Sequence, residues 1–310
     1  MGRVYEALNR GDSVSATAAR RAEAVADIAD IIPDIKDISR VHPQREAEPR
    51  DFDFVSYSLN APSLPEVARI EEEQAFAARE RLRLTAPART VELQSARVDP
   101  RITASFDSMP AVSSEFNKAA IALISASSTT DPIKRVLVTS AEHGSGKTSA
   151  AINIALALSR GKKRVLLIDC DFQRPSVLRL LGLEADKGLA EMVKEGGRHG
   201  DAAIRISPSG LTVIPMLGRV DNPAELLAGD ALSNLLTMIE LDYDFVLADS
   251  APLLHSAEAR LLAPLMDRVI LVVSPGKITS AQLSTAISPL TREQVLGVIM
   301  NRCDRTAQAV

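Results

Sequence analysis

One short stretch constrains this chain more than any other. "SAEHGSGKTS", residues 140 to 149, lies between the apolar run Val136 to Thr139 and the small-residue run Ala150 to Leu158. A buried strand, a glycine-containing turn, a lysine, a threonine and a helix in that order form the context in which a loop can wrap phosphates. Gly144 and Gly146 free the backbone to point N–H groups at an anion, and the following helix aims its positive end at the same place. Lys147 supplies a charge for β- and γ-phosphates, and Thr148 a hydroxyl for Mg²⁺. Glu142, His143, Gly144, Ser145, Gly146, Lys147, Thr148 and Ser149 are therefore the expected nucleotide-binding loop, with ATP and Mg²⁺ as its expected ligands. The usual first glycine of such a loop is Ala141 here, and the competing reading is an ordinary glycine turn before a helix.

The rest of the C-terminal two thirds repeats the alternation. Apolar strand candidates fall at Val136 to Thr139, Val165 to Ile168, Leu211 to Pro215, Phe245 to Ala248, Val269 to Val273 and Val295 to Met300, and helical patterns separate most of them. Short runs without polar alternation predict strands buried on both faces, so the expected fold is α/β: an open, mainly parallel sheet with helices on both faces. Ligands of such sheets bind beyond the carboxyl ends of the strands, in the loops after Thr139, Ile168 and Ala248.

Two of those ends are acidic. "RVLLIDCDFQRPS" puts Asp169 and Asp171 past one strand and "YDFVLADSAP" puts Asp249 past another. A carboxylate ending an apolar strand is costly without a cation or a donor, and Mg²⁺ on a nucleotide is the natural partner. Asp249 is expected to hold the metal directly or through water, together with Thr148 and Asp171. Asp169, on a strand expected to neighbour the phosphate-loop strand, is expected to orient or deprotonate an acceptor hydroxyl or water, giving Lys147, Asp169 and Asp171 as the catalytic set. The alternative is that these carboxylates only cap strand ends.

The N-terminal third reads differently. Residues 20–40 place Val25, Ile28, Ile31, Ile32 and Ile35 at helical spacing interrupted by Pro33, residues 64–84 form a charged helical pattern, and Pro-, Ser- and charge-rich segments surround both. Residues 1–112 are thus expected to be a low-order arm with short helices, and residues 113–310 the folded domain. A net charge of -4 gives no basic surface for nucleic acid. No run approaches the roughly 20 apolar residues that cross a bilayer, so a cytoplasmic protein brought to the membrane by a partner is expected. Two cysteines, Cys170 and Cys303, form no disulfide framework or zinc knuckle. Cys170 reads as a small buried residue, His143 as a solvated loop residue or a phosphate contact.

From about Glu115 to Arg305, the phosphate loop, the second acidic motif, "NPAELL" at 222 to 227, "YDFVLADSAPLL", "LLAPLMDRVILVV" and "LGVIMNR" together resemble the MinD/ParA-like branch of P-loop ATPases. Within it the chain is similar to the bacterial tyrosine kinases of capsule and exopolysaccharide loci, and "MGRVYEALNRG" looks like the start of tyrosine autokinases encoded near exopolysaccharide genes. The resemblance implies an ATP-dependent tyrosine kinase that regulates polysaccharide polymerisation and export, a membrane-anchored co-polymerase as activator, tyrosine-bearing protein substrates and a homo-oligomer. It also implies Lys147, Thr148, Asp169, Asp171 and Asp249 as the working residues, and Asn301 as the position that meets adenine. The alternative within the same branch is an ATPase switch that binds a partner in its ATP state. Several positions depart from these patterns. Glu142 stands where the MinD/ParA signature lysine falls, and Gln173 where the kinases' second motif carries arginine. Glu115, Lys118 and Ile121 replace the Glu-x-x-Arg-x-x-Arg of ring assembly. Only Tyr5, Tyr57 and Tyr243 are present, with no C-terminal tyrosine cluster.

Overall fold

Each expected strand belongs to one sheet, and the alternation of its side chains explains why each is apolar throughout. The computed structural model describes residues 87–302 except 88, 103–108, 129, 196–198 and 228. The strands are β1 (Arg89–Glu92), β2 (Arg135–Ser140), β3 (Val165–Cys170), β4 (Ile204–Ser207), β5 (Thr212–Ile214), β6 (Phe245–Ser250), β7 (Arg268–Val273) and β8 (Val295–Met300). They lie in the order β1-β4-β5-β3-β6-β2-β7-β8, with every neighbouring pair parallel except β4 and β5. Val136, Val138, Val165, Leu167, Leu247 and Ile270 face one apolar layer, and Leu137, Leu166, Ile168, Val246, Ala248 and Val269 face the other. Alternate residues of the same strand are buried on opposite faces, as a doubly covered parallel sheet requires.

On the first face lie α1 (Pro110–Ala126) and α2 (Lys147–Arg160). Twelve residues of α2, Thr148 to Ser159, are buried. Its run of Ala, Ile and Leu lets it sit close between the sheet and α1, which brings Ala119, Ala120 and Leu123 onto the same cluster. The short α3 (Val177–Leu181) follows β3 on this side. The opposite layer holds α4 (Leu189–Glu195), α6 (Pro223–Leu227) and α7 (Asp230–Ile239), with α5 (His199–Ala202) between the first two in sequence. A third cluster joins α8 (Ala257–Leu262) and α9 (Ser280–Ile287) to β7 through Ala259, Leu283, Ala286, Leu271 and Val273. No helix among the described residues is long and apolar enough to cross a membrane.

Two expectations change. The boundary at 112/113 lies too late: β1 pairs in parallel with β4, and Val98 and Ile102 are buried in the main cluster at 8% and 1% exposure. The segment between is tied to the domain, with Asp99 N–H donating to Leu180 O and Asn153 Nδ2 donating to Arg101 O. Two apolar anchors and backbone bonds suffice to fix a segment that has no periodic pattern of its own. The helices expected at 20–40 and 64–84 lie outside the described residues. The second change concerns the strand ending at Asp169, which does not neighbour the phosphate-loop strand: β6 lies between β3 and β2.

Because Ile102 fills a closed part of the core, Ile102→Ala should cost about 2–5 kcal/mol of unfolding free energy. Urea denaturation of the full chain checks this, and an unchanged midpoint would show that the segment before α1 adds nothing to the fold.

Candidate active site

The carboxyl ends of β2, β3 and β6 meet at one edge of the sheet. Val138 pairs with Asp249 across β2 and β6, and Asp169 with Asp249 across β3 and β6, so the two acidic strand ends are direct neighbours. The phosphate loop leaves β2 at Ser140 and enters α2 at Lys147. Gly144 and Gly146 take left-handed backbone angles, φ 72° and 88°, which side chains with a Cβ rarely adopt. A Cβ on Gly146 would overlap the Asn301 amide. No side chain caps α2, so its first N–H groups, with Gly146 as N-cap, remain for an anion.

Inside this loop four charged groups share a nearly dry space. Lys147 Nζ lies 2.8 Å from Asp171 Oδ2, with the two side chains 13% and 3% exposed. Asp171 Oδ1 accepts from Arg174 N–H at 2.9 Å. Asp169, 0% exposed, accepts from Asp171 N–H at 3.1 Å and, through its other oxygen, from Ser176 and Val177 N–H at 3.0 Å each. Asp249 is also 0% exposed, and neither of its oxygens closes a hydrogen bond. The nearby Thr148 hydroxyl lowers its pKa without completing one. Thr148 Oγ1 instead accepts from the Ser176 hydroxyl at 3.2 Å.

Burial pushes the Asp169 carboxyl up, and the charge of Asp249 adds to it; burial likewise raises Asp249, partly offset by Lys147. For Asp171 burial acts upward too, yet the Lys147 ammonium, together with the Arg174 and Gln173 N–H groups, holds the group below the usual carboxylate range. Burial would lower Lys147, but Asp249, Asp171 and Asp169 hold it above its ordinary value. Three carboxylates facing one ammonium leave an excess of negative charge in a low-dielectric place, and a divalent cation is the complement. The hard oxygen donors of Asp249 and Thr148, with Asp171 beside them, fit Mg²⁺, and the unpartnered Asp249 oxygens are where it would bind.

Of the expected residues, Lys147, Thr148, Asp169, Asp171 and Asp249 are brought together. Asp169, however, has both oxygens engaged by backbone N–H groups, so its immediate task is to shape the turn from β3 into α3 rather than to face an acceptor; Asp171 is the carboxylate that meets Lys147. Ser145 Oγ donates to Glu142 O at 3.0 Å, and Ser149 offers its carbonyl to Asn153. Asn301 lies at the loop, where its Nδ2 donates to Ser145 O at 2.8 Å. Glu142 turns to His255, whose Nε2 lies 2.8 Å from Glu142 Oε2, and His143 stacks on His255 with ring centroids 5.2 Å apart. Cys170 is buried, and burial pushes its thiol well up. Sequence reasoning missed His255 and Lys277; the latter reaches within 3.5 Å of Gly144 O from the loop after β7. The only signal for either was its place after a strand of the parallel sheet.

Two outcomes follow from this geometry. Lys147→Ala removes the charge that phosphates need and should weaken ATP binding at least about tenfold, roughly 1.4 kcal/mol, by titration calorimetry. Asp249→Asn removes a buried charge without a bonding partner, so the ligand-free variant should melt no earlier than the parent. Mg-ATP at a hundredfold excess over Kd should stabilise the parent by about 2.7 kcal/mol and the variant far less. Equal Mg-ATP stabilisation of both would remove Asp249 from the metal side of the site.

Residues 133–292, just over half the chain, match the AAA domain family. The tyrosine-protein kinase YwqD of Bacillus subtilis (strain 168) is 33% identical over 171 residues, which cover 54% of this chain and 72% of that protein. The succinoglycan biosynthesis transport protein ExoP of Rhizobium meliloti (strain 1021) is 31% identical over 175 residues, 54% of this chain but only 22% of ExoP. Among solved structures, the BceF tyrosine kinase domain superposes with a TM-score of 0.56 at 28% identity, over 75% of this chain and 88% of that one. A family match over more than half the chain and one third identity across 72% of YwqD place the chain in the AAA domain family and, within it, among the bacterial tyrosine kinases.

Proposed function

We propose that this chain transfers the γ-phosphoryl group of Mg-ATP to a tyrosine hydroxyl on another protein and thereby regulates exopolysaccharide or capsule synthesis and export. The observation that carries the reading is the Lys147–Asp171 pair at the N-terminus of α2, beside the unpartnered Asp249. The N–H groups of the loop and Lys147 hold the β- and γ-phosphates. Thr148 and Asp249 would hold Mg²⁺, with Asp171 beside it, and the ion would neutralise phosphate charge. Phosphate oxygens compete with Asp171 for the Lys147 ammonium, and that exchange frees an Asp171 oxygen to take the phenolic proton. The acceptor oxygen then forms its bond to the γ-phosphorus as the bond to the β–γ bridging oxygen breaks and ADP leaves. Positioning and electrostatics supply most of the rate enhancement in such a transfer.

Tyr243 is buried at 8% exposure and cannot serve as an acceptor in the folded chain; Tyr5 and Tyr57 lie outside the described residues. The similarity to ExoP, a succinoglycan biosynthesis transport protein, supports a role in polysaccharide synthesis and transport. The proposal includes a membrane-anchored protein of such machinery as activator and the cytoplasmic face of the membrane as the place of action. A homo-oligomer remains part of the proposal, although Lys118 pairs with Glu115 on its own helix at 2.8 Å. The partner-switch alternative is disfavoured by Glu142, an acid bonded to His255 where that group carries its signature lysine.

Incubating the purified full chain with γ-labelled ATP, Mg²⁺ and a glutamate–tyrosine copolymer should yield phosphotyrosine. Asp171→Asn should lower the rate about 100-fold or more, the usual size of a lost proton-transfer group. Slow ATP hydrolysis with no phosphotyrosine on the copolymer, on this chain or on proteins of its locus would overturn the kinase reading and favour the switch.

A further inference from the structure

At the mouth of the site two imidazole rings lie face to face. His143, in the phosphate loop, and His255, in the loop after β6, have ring centroids 5.2 Å apart and an interplanar angle of 14°. Glu142 Oε2 lies 2.8 Å from His255 Nε2 and holds that ring by its edge. Both residues are exposed, His255 with 44% of its side chain, whereas Lys147 and Asp171 are 13% and 3% exposed. An exposed, near-parallel pair of flat rings in the phosphate loop and the loop after β6 is a surface for a third flat ring.

The sheet order says which part of the reaction this surface faces. The loop after β2 is flanked on one side by the loops after β6 and β3, and on the other by those after β7 and β8. Asn301 and Lys277 come from the β7 and β8 side and touch Ser145 and Gly144. His255 comes from the β6 side, which also carries Asp249, Asp169 and Asp171. The charges that act on His143 are those of Arg174, His255, Lys147 and Asp171; of these Arg174 and Asp171 lie in the turn after β3 and His255 in the loop after β6, while Lys147 opens α2. Burial, followed by the positive charge of Arg174, holds the His143 imidazole below its ordinary pKa. The stack therefore borders the terminal-phosphate end of the nucleotide rather than its base.

We propose that the stacked His143 and His255 rings are the docking surface for the aromatic ring of the acceptor tyrosine. The inference rests on the kinase reading above and names the residues by which that reaction selects tyrosine over serine or threonine: an aliphatic hydroxyl has no ring to lay on the stack. Glu142 acts through His255 as a positioning residue. Seated there, a phenol ring extends its hydroxyl past the loop toward Asp171 and the γ-phosphate.

The test uses the full chain with two changes at one position. His255→Ala removes the ring, and His255→Phe keeps a ring while losing the bond to Glu142. In copolymer phosphorylation, His255→Ala is expected to raise KM for the tyrosine copolymer about 3- to 10-fold, the size of one lost aromatic contact. His255→Phe should return it to within about twofold, and the KM for ATP should not carry the effect. In parallel, a short tyrosine peptide is titrated into the chain loaded with Mg²⁺ and a non-hydrolysable ATP analogue. Tyrosine and phenylalanine peptides should bind alike, a serine peptide about 3- to 10-fold more weakly, and His255→Ala should weaken only the first two. An unchanged KM and unchanged peptide binding in His255→Ala, failure of His255→Phe to rescue, a loss seen only in the KM for ATP, or no peptide binding by the parent would each overturn the dock. Absence of phosphotyrosine formation would overturn the kinase reading itself, whatever the peptide titration shows.

Discussion

The ion pair between Lys147 and Asp171 is the contact on which the site depends, because it is made where charge is most expensive. Separating either partner from the other leaves an unpaired charge almost out of water, a change that costs several kcal/mol in comparable buried pairs. Yet the pair only half neutralises its surroundings. Asp169 meets its need through three backbone N–H groups, and Asp249 has no bonded partner among the described residues. The site offers Asp249 oxygens to a cation and the uncapped N–H groups of α2 to an anion, and under the proposed function Mg-ATP would supply both together. Binding and catalysis share one electrostatic origin here.

That concentration of charge is possible because the scaffold around it is close-packed and apolar. Parallel pairing of β3, β6 and β2 sets Asp169 and Asp249 side by side with no choice of register, since a slip of one residue would turn every apolar side chain of the strand to the wrong layer. Helix α2 adds the positive end of its backbone at the same point. Its small residues allow the approach that a bulkier helix would prevent.

Much of this was legible in the sequence because each strand of the central sheet is a continuous apolar run and the phosphate loop has a fixed spacing. The edge was not. β1 reads Arg-Thr-Val-Glu, with three of four residues exposed, and an edge strand with so little to bury leaves no hydrophobic signature. β4, Ile-Arg-Ile-Ser, does alternate, but over only four residues. Within the site, residue types and strand ends identified the acidic cluster, while the division of labour inside it depended on the turn after β3. Nothing in "DCDFQRPS" reveals that Ser176 and Val177 fold back to occupy Asp169. His255 was equally silent, since a single histidine after an acidic strand gains meaning only when a second ring is found beside it.

The amide of Asn153 donates both to Arg101 O and, one turn back, to Ser149 O. It thereby rivets the segment leading out of the fold to the first turn of α2, the turn that begins with Lys147. The chain before α1 is thus fastened twice, at the sheet edge through β1 and again beside the helix whose first turn carries Lys147, so that turn shares one side-chain amide with a segment that contributes nothing to the phosphate loop itself.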